Sequence, residues 1–206
     1  MTHTTEQQAF WHGEFGNAYA DRNKGPDWVG ANEAFFAKVL GGAGELRSVL
    51  ELGSNIGLNL MALRRLLPAA RLSAVEINEK AAAELKAALP EVELHLSSIL
   101  EFEPRGTWDL VFTKGVLIHI NPDKLPIVYE VMYRSSARFV LLAEYYNPKP
   151  VEISYRGHSG KLFKRDFAGE MLDMFPDLSL RDYGFAWHRD PSCPQDDLTW
   201  FLLERK

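Results

Sequence analysis

The chain has 206 residues, 46% of them apolar and 25% charged, and a formal net charge of −5. That length gives one domain with a sizeable core, and the acidic sign argues against a general nucleic-acid binder. Cys193 is the only cysteine, which excludes an intrachain disulfide and a cysteine-rich zinc site.

The opening Met1-Thr-His-Thr-Thr-Glu-Gln-Gln8 is polar and lacks the apolar run of a secretory signal. No later stretch has the length of a membrane span, so a cytoplasmic location is expected. Residues 6–19 read as a helix, broken by Asp21-Arg-Asn-Lys-Gly-Pro26, and 31–40 as a second, ended by Gly41-Gly42. A β/α alternation follows, with strand 48–52, helix 58–67, strand 71–75 and a helix over 79–88 capped by Asn78. Strands are expected at 92–96 and 109–113, then a helix over 122–135 entered through Asn121 or Asp123. Residues 139–143 read as a fifth buried strand, 166–175 as a helix stopped by Pro176, and 179–187 and 198–204 as two closing strands. The segment 146–165 between the fifth strand and the last helix reads as a loop. Near-continuous apolar strands alternating with helices imply a parallel sheet covered on both faces, and the closing pair suits an antiparallel hairpin at its edge.

The informative segment is Ser48-Val-Leu-Glu-Leu-Gly-Ser-Asn-Ile-Gly57. A strand runs into a turn with Gly53 and Gly57, and a helix starts near Leu58. Such a turn brings backbone N–H groups and a helix N-terminus up to a ligand with no side chain in the way. Glu76 closes the next strand, at the distance, about 20 residues on, where a doubly wound fold places an acid on a ribose. A dinucleotide site wants a middle glycine for its pyrophosphate, and here that position is Asn55. Glu51, two residues before Gly53, would repel a pyrophosphate and suits a cationic ligand such as a sulfonium bearing an amino group. The site therefore reads as one for S-adenosylmethionine and not for NAD.

Val49-Leu-Glu-Leu-Gly-Ser-Asn-Ile-Gly57 resembles motif I of class I S-adenosylmethionine-dependent methyltransferases. Ala74-Val-Glu-Ile-Asn78 resembles their acidic ribose loop, and Trp108 to His119 their fourth-strand motif. The resemblance covers about residues 45–145 and implies a Rossmann-like α/β fold, a seven-stranded, mostly parallel sheet with a C-terminal antiparallel hairpin. It implies a single domain, with residues 1–44 as an N-terminal helical lid, 45–145 as the cofactor-binding core and 146–206 as the substrate side. The cofactor residues it implies are Glu51, Gly53, Ser54, Asn55, Gly57, Glu76, Ile77, Ser98, Ile99 and Lys114. From the lid, Tyr19 would pack on the methionine end and Arg22 would pair with its carboxylate. One departure concerns adenine: the third strand of this family leads to an aspartate, and Ser98 stands there, whose hydroxyl would accept the amine more weakly. A narrower resemblance, carried by Phe10 to Asn23 and by blocks such as Glu144-Tyr-Tyr-Asn-Pro148 and Gln195-Asp-Asp-Leu-Thr-Trp200, is to the pseudaminic acid biosynthesis-associated methylases.

Methyl transfer is an in-line displacement at an activated carbon, so the protein mainly aligns the acceptor and excludes water. No metal is expected, since no His-x-x-x-His, cysteine pair or close carboxylate set occurs. His119, just past the fourth strand, is the first candidate base and equally a packing residue under the cofactor. His158 is the second. Lys114 suits Glu51 or a substrate carboxylate, or else simply snorkels outward. Arg156, Lys161, Lys164 and Arg165 make a basic block that fits a small anionic acceptor, such as a nonulosonic-acid-related sugar, or simply a solvated loop. Tyr145, Tyr146, Tyr155 and Trp187 would wall the acceptor pocket, or else belong to the core. Two alternatives stay open: a methyltransferase acting on RNA or protein, and a non-catalytic cofactor-binding module. The acidic charge opposes an RNA substrate. The Asn/Asp-Pro-Pro-Tyr pattern of base amino methylation is also absent, Asn121-Pro122 being followed by Asp123-Lys124.

Overall fold

The computed structural model describes residues 5–22 and 26–206. Residues 23–25 of the break expected at 21–26 lie outside the described residues. Seven strands form one sheet: β1 (Ser48–Leu52), β2 (Arg71–Glu76), β3 (Glu93–Leu96), β4 (Trp108–Lys114), β5 (Ser136–Glu144), then β8 (Leu178–Ala186) and β9 (Leu198–Arg205). Their order is β3-β2-β1-β4-β5-β9-β8. The first five are mutually parallel; β9 runs antiparallel to β5 and to β8. This is the mostly parallel seven-stranded sheet with a terminal antiparallel pair that the apolar alternation implies.

Period-two alternation sends the strand residues to two cores. Val49, Leu110, Phe112, Phe139 and Leu141 pack with α3 (Pro26–Val39), α4 (Leu58–Leu66) and α5 (Glu79–Ala88). Leu50, Val111, Val140 and Leu142 face the opposite way, onto α6 (Leu125–Ser135) and α7 (Phe167–Met174). Every strand of the centre is therefore buried on both faces, which leaves the carboxyl ends of β1, β2 and β4 as the accessible rim.

The sequence reading is corrected in three places. Residues 151–164 are not a loop but a two-stranded sheet, β6 (Val151–Tyr155) paired antiparallel with β7 (His158–Lys164). The first helix is two, α1 (Glu6–His12) and α2 (Glu14–Arg22), parted at Gly13. The helix expected to start at residue 31 starts at Pro26, where the fixed ring dihedral suits a first helical turn.

α1 and α2 lie across the carboxyl rim. The Asn78 side-chain amide donates to the carbonyls of Trp11 and His12 and to Asn17 Oδ1, at 3.1, 3.2 and 2.9 Å. Lys80 pairs with Asp21 at 2.6 Å. The hairpin holds α1 from the other side, through Gln7 Nε2 to the Gly160 carbonyl (2.9 Å) and Lys161 Nζ to Glu6 (3.2 Å).

Candidate active site

The turn between β1 and α4 is strained in the way its glycines allow. Gly53 has φ +80°, and a Cβ there would sit 2.8 Å from Val116 Cγ2; Gly57 has φ +85° and faces Leu85 at 2.9 Å. Asn55 between them is also left-handed, at φ 47°. Gly57 caps α4 with no side-chain hydrogen bond, so the helix N-terminus is left to the cavity beside it. That cavity, of about 210 Å³, is bordered by Gly53, Asn55, Asn59, Glu76, Lys114 and His119, among others.

Glu76 reaches this cavity with both carboxylate oxygens engaged: Oε2 accepts the Asn55 N–H and Oε1 the Asn78 N–H, each at 2.7 Å. Burial raises its pKa against those backbone donors. Glu51 lies behind the cavity wall. It is 1% exposed, and Oε1 accepts from Asn59 Nδ2 at 2.6 Å while Oε2 has no partner. Desolvation pushes its pKa up to about 8, opposed by Asn59 and by the charge of Lys114. Lys114 ends β4 in the wall itself, its ammonium 5.8 Å from the Phe35 ring centre, and burial lowers its pKa against Asp196, Glu51 and Glu144. Among the described residues it makes no ion pair with Glu51.

A second, smaller cavity of about 60 Å³ lies toward β3, bordered by Gln7, Gln8, Ile77, Ser98 and Ile99 among others. The two cavities share Trp11, Gly53, His119 and Ile120. Ser98 Oγ accepts from Gln8 Nε2 at 2.7 Å and from the Leu100 N–H at 3.2 Å.

His119 ends a 3₁₀ turn, Leu117–His119, between the two cavities. Its Nδ1 is 2.6 Å from the Lys161 carbonyl, which can only accept, so Nδ1 carries the hydrogen and Nε2 the lone pair. Burial holds its pKa down at about 4. The turn is fixed by Glu144 at the end of β5, 3% exposed, whose carboxylate accepts the N–H groups of Val116, Leu117 and Ile118 at 3.1, 3.1 and 3.4 Å. Burial raises the Glu144 pKa to about 7.

The remaining candidates disperse. Tyr19 borders the first cavity and meets Trp11 edge-on at 5.1 Å. Arg22 does not; it lies exposed over Phe15 and Tyr19. His158 is on the outside of the hairpin, against Phe10 and Phe15, and borders neither cavity. The Lys161 ammonium turns away to Glu6, and Arg165 to Glu170 at 2.7 Å, so two of the four basic residues of that block are engaged internally. Arg156 is exposed in the hairpin turn, over Tyr155, and Tyr155 packs on His119 at 4.8 Å. Tyr145 is half-buried under Lys164, its pKa raised by burial and by the charge of Asp196. Tyr146 and Trp187 are 40% and 47% exposed, away from both cavities. Sequence reasoning missed Gln7, Gln8, Asn59, Glu144 and Asp196. Among the described residues no cluster of three or more His, Cys, Asp or Glu is placed to hold a metal, and no helix is long and apolar enough to cross a membrane.

The groups present fit S-adenosylmethionine. One buried carboxylate oxygen of Glu51 has no donor, and at Gly53, left-handed with φ +80°, a Cβ would crowd Val116. Residues 49–137 match a family described as a methyltransferase domain. No curated protein matches the chain in sequence. Among solved structures, magnesium protoporphyrin IX methyltransferase from Synechocystis PCC 6803 with bound SAM superposes over 100% of both chains, with a TM-score of 0.68 at 12% identity. The complex of DhpI with SAH does so over 97% of this chain and 95% of that one, at 0.65 and 20%. CalS10, an amino pentose methyltransferase from Micromonospora echinaspora solved with SAM, matches over 93% and 96%, at 0.65 and 13%. The fold is thus the class I methyltransferase fold.

Proposed function

We propose that this chain is an S-adenosylmethionine-dependent methyltransferase whose acceptor is a small, anionic, sugar-related molecule. The observation that carries the reading is the convergence of Glu76, the Gly53–Gly57 turn and the neutral His119 on adjoining cavities at the carboxyl rim of the sheet. When bound, S-adenosylmethionine supplies an activated methyl group and its own leaving group. The chain's part is to hold both partners, keep water out and take up a proton. Glu76 would take the ribose hydroxyls, and Asn59, backed by Glu51 behind the wall, the amino-acid end. Ile77 and Ile99 would sandwich the base. His119 Nε2 is oriented to accept the acceptor's proton, because Nδ1 is committed to Lys161.

Lys114 supports an anionic acceptor. Among the described residues bordering the larger cavity it is the basic side chain, and His119 is neutral there. Asp196, which borders the same cavity, would receive hydroxyl or amine donors. The resemblance to the pseudaminic acid biosynthesis-associated methylases supports a nonulosonic-acid-related acceptor, and DesVI from Streptomyces venezuelae and the amino pentose methyltransferase CalS10 share the fold. The helices α1 and α2 serve as a lid.

The test is transfer of an isotopically labelled methyl group from S-adenosylmethionine to a panel of sugar acids, neutral sugars and total tRNA. The expected result is label in a sugar acid, dependent on Lys114. Label in tRNA or in protein alone would overturn the acceptor class, and no turnover with intact cofactor binding would overturn the enzyme reading.

A further inference from the structure

The smaller cavity contains two features that the roles above leave unused. Gln7 is 8% exposed, and its amide nitrogen is spent on the Gly160 carbonyl at 2.9 Å. That bond fixes which way the amide points, and it leaves Oε1 buried with no donor. Trp11, one helical turn on along the same face of α1, buries its indole N–H with no acceptor. Both residues border the cavity between Ile77 and Ile99. An orphan acceptor and an orphan donor, each costly to leave unpaired, thus belong to two residues that border one largely apolar cavity.

Ser98 cannot fill the role its position suggests. Its hydroxyl oxygen has two lone pairs, and both are taken, by Gln8 Nε2 and by the Leu100 N–H. It can only donate, whereas an adenine amine needs an acceptor.

Resting on the cofactor assignment, the geometry points to Gln7 as the residue that reads the exocyclic amine of adenine, in place of an acid after β3. The Gln7 carbonyl accepts the amine, and the Trp11 N–H serves a ring nitrogen. The base is therefore recognised from the N-terminal helix and not from the sheet. The same Gln7 side chain holds Gly160 of the β6–β7 hairpin, so a bound adenine and the hairpin over His119 are joined through one amide.

The discriminating pair of ligands is S-adenosylhomocysteine and its deaminated analogue S-inosylhomocysteine, which presents a carbonyl oxygen where adenine has its amine. Titration calorimetry on the intact chain should give wild type a preference for the adenosyl ligand on the order of 10²-fold. In Gln7→Met that preference should fall below about fivefold, mainly by loss of adenosyl affinity, with the ligand-free melting temperature checked alongside. Should Gln7→Met not fold, Gln7→Asn, which withdraws the carbonyl by one methylene, must show the same narrowing. Equal weakening of both ligands, or an unchanged ratio, would assign Gln7 a purely structural role and overturn the proposal. If wild type binds neither ligand, the cofactor assignment falls and the proposal falls with it; binding with an unchanged ratio sinks the proposal alone.

Discussion

The His119 ring takes its orientation from a strand 42 residues further along the chain: Nδ1 donates to the Lys161 carbonyl at 2.6 Å. With its pKa held near 4 the ring is neutral across the physiological range, and the lone pair sits on the nitrogen away from β7. The catalytic prediction follows from that asymmetry. His119→Asn can keep a donor toward Lys161 while removing Nε2. Steady-state assays should show kcat reduced by about 10²–10⁴, the range of a lost general base, with cofactor affinity within a factor of about three of wild type. A variant that turns over normally would make His119 a packing residue.

Three of the buried groups shape the pH response between pH ~4 and ~8.5. Glu51 and Glu144 keep their protons to about 8 and about 7, against about 4.3 when unfolded. Between these limits the folded chain binds more protons, so their contribution to stability is complete below pH ~4.3 and is lost as pH rises through 7 to 8. His119 acts in the opposite sense: its contribution is complete above pH ~6.5 and is lost as pH falls through 4. Ligand-free protein should therefore melt at a lower temperature at pH 8.5 than at pH 6.5, and Glu51→Gln should flatten the difference. A cationic ligand in the adjoining cavity stabilises ionised Glu51, so S-adenosylmethionine should bind more tightly at pH 8.5 and release protons near pH 7. Calorimetry in two buffers of different ionisation enthalpy measures that release directly.

The sheet and the Gly53–Gly57 turn were legible because their signals are local. Gly53 and Gly57 mark the turn by the positive φ that glycine adopts, and the central strands β4 and β5 announce their burial by apolar runs such as Leu110–Phe112 and Phe139–Ala143. The β6–β7 hairpin gave no such signal. Val151, Glu152, Ile153 and Ser154 are all exposed, so no alternation marks the strand, and Gly157 and Gly160 read as loop residues. Gln7 and Gln8 look like a polar N-terminus in the sequence, and their meaning comes from partners 153 and 90 residues away. Glu144 is similar: at the end of an apolar strand nothing local says that its carboxylate will hold a turn 26 to 28 residues upstream. Only Pro26 was a missed local sign, as the first residue of α3.

Glu144 allows a stability prediction with a functional echo. Glu144→Ala leaves the N–H groups of Val116, Leu117 and Ile118 buried without acceptors, and should cost on the order of 3 kcal/mol in urea denaturation. Glu144→Gln keeps one acceptor oxygen and should cost less than half as much. Both should lower kcat more than they raise the KM for S-adenosylmethionine, because the turn they loosen carries His119 and not Glu76. Equal denaturation midpoints for Glu144→Ala and wild type would remove the turn-holding role.

Asn78 separates helix capping from attachment of α1 and α2. Its Oδ1 accepts the Ala81 N–H at 2.9 Å to cap α5, while its Nδ2 holds Trp11, His12 and Asn17. Serine can supply the cap but not the three outward bonds. Asn78→Ser should therefore lose little global stability, within about 0.5 kcal/mol for the cap itself, whereas Asn78→Ala should lose about 1 kcal/mol more. Both should release α1 and α2, seen as faster amide exchange over residues 6–22, and weaken S-adenosylmethionine binding about tenfold through the loss of Trp11 and Gln7 from the cavity wall. Unchanged exchange in Asn78→Ser would mean that the Lys161–Glu6 and Gln7–Gly160 contacts hold these helices by themselves.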